Sequence, residues 1–190
     1  MSYTKHIIFI FALLSGCAQY PQQRPPDYKP DISGADVVNF SKAIDALGNN
    51  DIDHAEAMLK DLISDNPEIS GPWVNLGLIY FSKNQFSESE LAINNALRLN
   101  PHNPYALNLS GMLARRNSDI KRAHALYLEA IKYKDDYAMA HYNLALLYDI
   151  FFQDISAAAI HYRKYLDLIG GKDKQTVDWL EQLKNSMKKS

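Results

Sequence analysis

The chain has 190 residues, a formal net charge of −2, 47% apolar residues and 22% charged residues. That length suits one domain with an added segment, the composition is that of a globular protein, and the near-neutral balance excludes a global basic field for nucleic acid. The single cysteine, Cys17, excludes a disulfide within the chain.

The N-terminus reads as an address. Residues 1–6 (MSYTKH) are short and polar with one cation, Lys5, residues 7–14 (IIFIFALL) are continuously apolar, and Ser15, Gly16 and Cys17 follow. A charged segment, an apolar segment and then small residues is the layout of a signal peptide, 1–16. The apolar run is eight residues long, whereas a membrane-spanning helix needs about 20.

The string Leu14-Ser15-Gly16-Cys17 resembles the bacterial lipobox. The resemblance implies diacylglycerol transfer to the Cys17 thiol, cleavage before Cys17 and acylation of the new amine. Membrane attachment would then run through this lipid, the only covalent group expected and the only cofactor-like one. Each buried CH₂ of the acyl chains contributes about 0.8 kcal/mol to the hold on the membrane. An ordinary secretory signal with an incidental cysteine is the competing reading. Ala18, not aspartate, follows the cysteine. By resemblance to enterobacterial sorting, that favours the outer membrane, facing the periplasm.

Residues 17–35 hold Pro21, Pro25, Pro26 and Pro30 without apolar periodicity, which predicts an extended tether. At about 3.1 Å per residue it spans up to roughly 50 Å.

The rest of the chain repeats at a fixed step. Ala43, Gly77, Gly111 and Ala145 lie 34 residues apart, as do Ala55, Ser89 and Ala123, then Leu59, Ile93 and Tyr127, then Leu62, Ala96 and Ala130. Pro67, Pro101 and Asp135 keep the same step. In the second unit Trp73-Val74-Asn75-Leu76-Gly77-Leu78-Ile79-Tyr80 gives W-x₂-LG-x₂-Y, and in the fourth His141 to Tyr148 gives the same string with His for Trp. The period and the motif resemble the tetratricopeptide repeat family. The resemblance implies an all-α solenoid of about four helix-turn-helix repeats, near 36–69, 70–103, 104–137 and 138–171, with a capping helix over 172–190. Small residues let paired helices approach, large ones such as Leu76, Tyr80, Tyr127 and Tyr148 fill volume, and Pro67 and Pro101 end second helices. No single unit buries its apolar face, so neighbours must stack.

The fourth repeat departs from the pattern. Its turn, Asp149 to Ser156, runs one residue long and puts Ala158 in the small-residue slot. Phe151 and Phe152 fall in that turn, where they read either as an exposed contact or, the expected case, as buried against a neighbouring helix. Gly170-Gly171 predicts the end of its second helix. Beyond it, Val177, Leu180, Leu183 and Met187 share one face of the cap.

Catalytic and metal motifs are absent: no G-x-x-x-x-G-K-S/T, no H-E-x-x-H and no C-x-x-C occurs. The chain is therefore read as non-enzymatic. His141 occupies the slot of Trp73 and reads as packing. His141 and His161 are placed to meet across one hairpin, but no third ligand for a metal is evident.

What remains is a binding surface. By resemblance, fixed slots on the first helices of tetratricopeptide stacks line a concave groove. They correspond here to Phe40 and Ile44; to Val74, Leu78, Phe81 and Ser82; to Tyr105, Asn108, Met112, Arg115 and Arg116; and to Met139, Tyr142, Leu146, Asp149 and Ile150. Aromatic residues, methionine and arginine are enriched at interfaces, although about half of these positions are expected to pack against adjacent helices or the tether instead. The implied partners are envelope proteins or a peptide segment in the groove. Lipidated repeat proteins of this kind resemble pilotin-type assembly factors of type IV pili and secretion systems. An accessory role in a TonB/ExbB/ExbD-type energy-transducing complex is the alternative, and a metal or small-ligand carrier a third.

Overall fold

The computed structural model describes residues 34–187, with side chains to residue 185. Leu14, Ser15, Gly16, Cys17 and Ala18, and the tether as far as residue 33, lie outside the described residues. So does the side chain of Met187. Among the described residues every regular element is helical. They are α1 (Gly34–Gly48), α2 (Ile52–Asp65), α3 (Ser70–Ser82), α4 (Phe86–Leu99), α5 (Pro104–Arg116), α6 (Ile120–Tyr133), α7 (Ala138–Leu147), α8 (Ile155–Leu168) and α9 (Lys174–Met187). A π-helical turn, Tyr148–Phe152, continues α7. No described helix is long and apolar enough to cross a membrane. The chain forms two compact units that divide at Ser89/Glu90, inside α4.

In the N-terminal unit α2 packs on both α1 and α3. Ala43, Ala55, Leu59 and Leu62 are buried where they meet. The Phe40 ring lies on α3, where a methyl group added at Gly71 would meet it at 3.2 Å. Ser89, in a slot filled elsewhere by alanine, donates its hydroxyl to the Gly77 carbonyl at 2.8 Å, so the small residue there leaves no buried polar atom unsatisfied.

In the C-terminal unit α6 packs on α5 and α7, α8 on α7 and α9, and α5 touches α7. Gly111 is the slot of closest approach: a methyl group there would meet the Tyr127 ring at 2.5 Å. Tyr127 and Tyr162, which take the slots of Leu59 and Ile93, are among the largest fully buried side chains. Leu107, Ala130, Tyr137 and Ala140 form a second buried cluster, against which Leu97, Tyr105, Leu126 and Met139 pack.

The turn inside each hairpin follows one design. Asn50, Asn84, Ser118 and Gln153 have positive φ, between 55° and 62°. The next residue donates its amide back: Asp51 to Ala46, Gln85 to Tyr80 and Asp119 to Ala114, at 2.8–2.9 Å. In the fourth hairpin Asp154 donates to Tyr148 at 2.9 Å, so the same closure encloses one more residue. The π-helical turn absorbs that residue, since its i→i+5 bonding widens the helix locally. Asp51, Asp119 and Asp154 then cap the second helices by accepting from backbone amides three residues on.

The widened turn overturns one expectation. Phe151 and Phe152 are not buried against a neighbouring helix but are 46% and 42% exposed. The turn stays on α8 through Tyr148 and Asp149, and of the two exposed phenylalanines Phe152 meets the rings of His124 and Tyr148.

Candidate interaction face

The sixteen groove positions separate by accessibility. Ile44, Val74, Phe81, Asn108, Met112 and Leu146 are buried. Phe40, Leu78, Tyr105, Arg115, Tyr142 and Asp149 are half-buried, and Arg116 is exposed. Ser82 and Ile150 are exposed, and Met139 is half-buried in the core of its unit.

Burial of the first set has identifiable causes. Asn108 is 1% exposed and spends its amide inside the protein: it accepts from Asn143 Nδ2 at 3.0 Å and donates to the Tyr137 hydroxyl at 3.4 Å. Its amide also reaches the Met112 sulfur at 3.7 Å. This network joins α5 to α7, so Asn108 acts as a strut between repeats. Tyr105 lies against the Tyr137 ring, with centroids 4.8 Å apart. Phe81 meets Phe86 edge to face at 5.4 Å.

In the C-terminal unit the half-buried Tyr142 and Asp149 rest on a connected set of side chains beneath them. Tyr142, on α7, leans on Tyr165 and Tyr162 of α8, with centroids 4.9 and 6.0 Å apart. Tyr162 donates to Asp149 at 3.3 Å, and Trp179 of α9 donates to the same oxygen at 2.6 Å. Tyr165 donates to Asp173 at 3.2 Å, and Asp173 also caps α9 by accepting from the Thr176 amide and hydroxyl. Two carboxylates thereby fasten the cap to the fourth repeat. Burial, then the Asp173 charge, raises the Tyr142 hydroxyl pKa, while Arg115 draws it down. The hydroxyls of Tyr162 and Tyr165 are pushed well above the usual phenol range, chiefly by burial and then by Asp149 and Asp173 respectively. All three stay neutral donors.

Arg115 has a different position. It ends α5, half-buried and within the field of Tyr142. Among the described residues its guanidinium makes no hydrogen bond and no ion pair. Its neighbour Arg116 donates to Asn117 at 3.3 Å. The face therefore offers one planar cation with undirected donors, within the field of the half-buried Tyr142.

Sequence reasoning did not place Tyr162, Tyr165, Asp173 or Trp179 on this face. The extra residue before α8 was the available signal, because it sets the tyrosines one step off the period. Among the described residues no three His, Cys, Asp or Glu side chains are grouped to hold a metal ion.

Two stretches, 40–104 and 108–172, match the tetratricopeptide repeat family. The chain belongs to that family. Its fold is that of a protein–protein interaction scaffold, and solved tetratricopeptide structures share it. Pseudomonas aeruginosa PilF superposes with a TM-score of 0.69 at 15% identity, over 82% of this chain and 70% of that one. A thermophilic TPR protein of Thermus thermophilus superposes with a TM-score of 0.63 at 18% identity, over 93% and 94%. The first TPR of Spaghetti, solved with an HSP90 peptide bound, gives 0.55 at 15% identity over 62% and 92%. A comparison with curated proteins returns no match. At these identities the likeness to solved structures concerns the fold.

Proposed function

We propose that this tetratricopeptide protein is a lipid-anchored interaction scaffold of the cell envelope. Cys17 carries the anchor, in the outer membrane facing the periplasm. The face built by α5, α7 and the cap takes an extended acidic peptide segment of an envelope partner, in a pilus, secretion or related assembly machine. Arg115 is the observation that carries the binding reading: a half-buried guanidinium whose donors no described residue uses calls for an acceptor from outside. Tyr142 beside it adds a flat apolar wall with a polar tip, suited to a wet interface. The lipobox string Leu14-Ser15-Gly16-Cys17 supports the anchor, and the shared fold with PilF supports an assembly role.

In-cell crosslinking of the tagged, lipidated chain tests the binding reading. Arg115→Glu should reduce capture of the main envelope partner at least about tenfold, because breaking a desolvated charge pair costs roughly 2–5 kcal/mol. Equal capture by both proteins would move binding off this face. For the anchor, Cys17→Ser should shift the protein from the detergent to the aqueous phase with its helical circular dichroism unchanged. Continued partition into detergent would exclude lipidation at Cys17.

A further inference from the structure

His141 and His161 face each other across the α7–α8 hairpin, with their Nδ1 atoms 2.9 Å apart. The rings are close to parallel, at 28°, with centroids 5.2 Å apart, so the two nitrogens lie near the line joining the rings. This is an in-plane N–H···N hydrogen bond. It leaves no room for a metal ion between the nitrogens, and among the described residues no third ligand stands by.

The network assigns the protons. His141 Nε2 lies 3.0 Å from the Asp135 carbonyl, which only accepts, so Nε2 carries the hydrogen and Nδ1 of the neutral ring is bare. His161 must then donate from its own Nδ1. The second repeat shows what is ordinary here and what is added. Trp73, in the slot of His141, donates its ring N–H to the Pro67 carbonyl at 3.2 Å, the counterpart of the Asp135 carbonyl. The slot of His161 holds Ala92 in the second repeat and Leu126 in the third. A titratable pair thus replaces residues that cannot titrate; in the third repeat Leu107 and Leu126 belong to one apolar cluster.

We propose that the His141–His161 pair is a proton-operated latch that closes the α7–α8 hairpin at neutral pH and releases it under mild acid. Two protonated rings cannot keep this bond, because both Nδ1 atoms would then carry hydrogens pointing at each other. No carboxylate is hydrogen-bonded to either ring, and the one anion whose field reaches His141, Asp135, is opposed by the cation of Lys164. Facing it are the Asp135 backbone carbonyl before α7, Tyr148 of the π-helical turn stacked on His161 at 5.7 Å, His124 of α6 bonded to Tyr148 at 2.9 Å, and the cation of Lys164 on α8. The Asp135 carboxylate partly offsets Lys164 at His141, and Asp136 is already paired with Lys134 at 2.6 Å.

Burial, then the neighbouring His141 and His124, hold His161 down to about 4 from an ordinary 6.5. Burial holds His141 below 6.5 as well. The sign follows from linkage. The closed latch binds fewer protons than the open one, so its stability is complete above the ordinary histidine pKa and is lost as pH falls toward the depressed one. With two protons taken up on opening, the open population rises by up to about 100-fold per pH unit inside that window. Tyr162 and Tyr165 ride on α8, so release also disturbs the face assigned to the partner. That consequence alone rests on the binding reading, and the test below needs no partner.

Amide hydrogen exchange on the full chain at about pH 7.5 and about pH 5, with α5 as the internal reference, measures the latch directly. In the wild type, α8 should lose protection relative to α5 on acidification by at least about tenfold. His141→Leu with His161→Leu copies the Leu107/Leu126 pair of the third repeat and should abolish that loss. If this double variant does not fold, His161→Gln keeps a donor toward His141 without titrating and should roughly halve the pH slope. Wild-type α8 that tracks α5 at both pH values, or variants that lose protection as the wild type does, would overturn the latch.

Discussion

Gly111→Ala should lower the melting temperature, although alanine is the better helix former by about 1 kcal/mol. The added methyl group would stand 2.5 and 2.7 Å from two carbons of the Tyr127 ring. These are ring atoms of a side chain with no exposed surface, not the free end of a flexible one. Either the ring or α6 must move, and overpacking of this kind costs about 1–3 kcal/mol. An approach of 2.5 Å belongs at the upper end of that range, so the net loss after the helix gain should be about 1–2 kcal/mol, or roughly 4–8 °C for a unit of about 100 residues. Gly111→Leu should be worse, because its side chain adds three more carbons to the same filled volume. The first repeat supplies the compensating change, since it pairs Ala43 with Leu59 where the third pairs Gly111 with Tyr127. Gly111→Ala combined with Tyr127→Leu should therefore cost less than the sum of the two single changes, as contacting residues are not additive. Gly34→Ala is the control, because a methyl group there meets nothing within 4 Å. Additive effects at 111 and 127, or an unchanged Gly111→Ala, would show that the two slots do not share one volume.

The same pair marks what was legible in the sequence. A step of 34 residues fixes which positions recur, and the alternation of small and large side chains across the step identifies the contacts between helices. Ala43, Ala55, Ala123, Ala130 and Ala158 are all completely buried. The extra residue of the fourth turn was also visible as a shift of one. Its consequence was not, because the period says nothing of how a turn absorbs an insertion. A π-helical turn, rather than a longer loop, exposes Phe151 and Phe152 and brings Asp149 to Tyr162 and Trp179.

Groove slots were legible only as positions. A slot fixes where on a helix a residue starts, not what its side chain bonds to. Asn108 and Arg115 belong to one helix and to the same set of slots, yet Asn108 is spent within the protein and Arg115 is not. Nor does the period report pairing between unlike slots. His141 stands in a tryptophan slot and His161 in an apolar one, and their bond depends on proton positions that only the Asp135 carbonyl fixes.

Asn108 leads to the second large effect. Asn108→Val places in the third repeat the residue that the second carries there, Val74. It removes the acceptor for Asn143 Nδ2, a donor on a side chain shut off from bulk solvent. Leaving such a group unsatisfied costs about 1–3 kcal/mol, beyond the net worth of the bond itself. Asn143→Leu, the residue that Leu109 supplies in the third repeat, strands the Asn108 carbonyl in the same way. Made together, the two changes remove donor and acceptor at once, and an apolar pair in a buried site can be close to neutral. The double variant should therefore be more stable than either single one, a coupling of about 1–3 kcal/mol readable in a double-mutant cycle by urea denaturation. Tyr137 would lose the 3.4 Å bond from Asn108 in Asn108→Val as well as in the double variant, so that contribution cancels between the two. A double variant as unstable as the sum of its parts would mean that the amides are held by packing around them and not by each other.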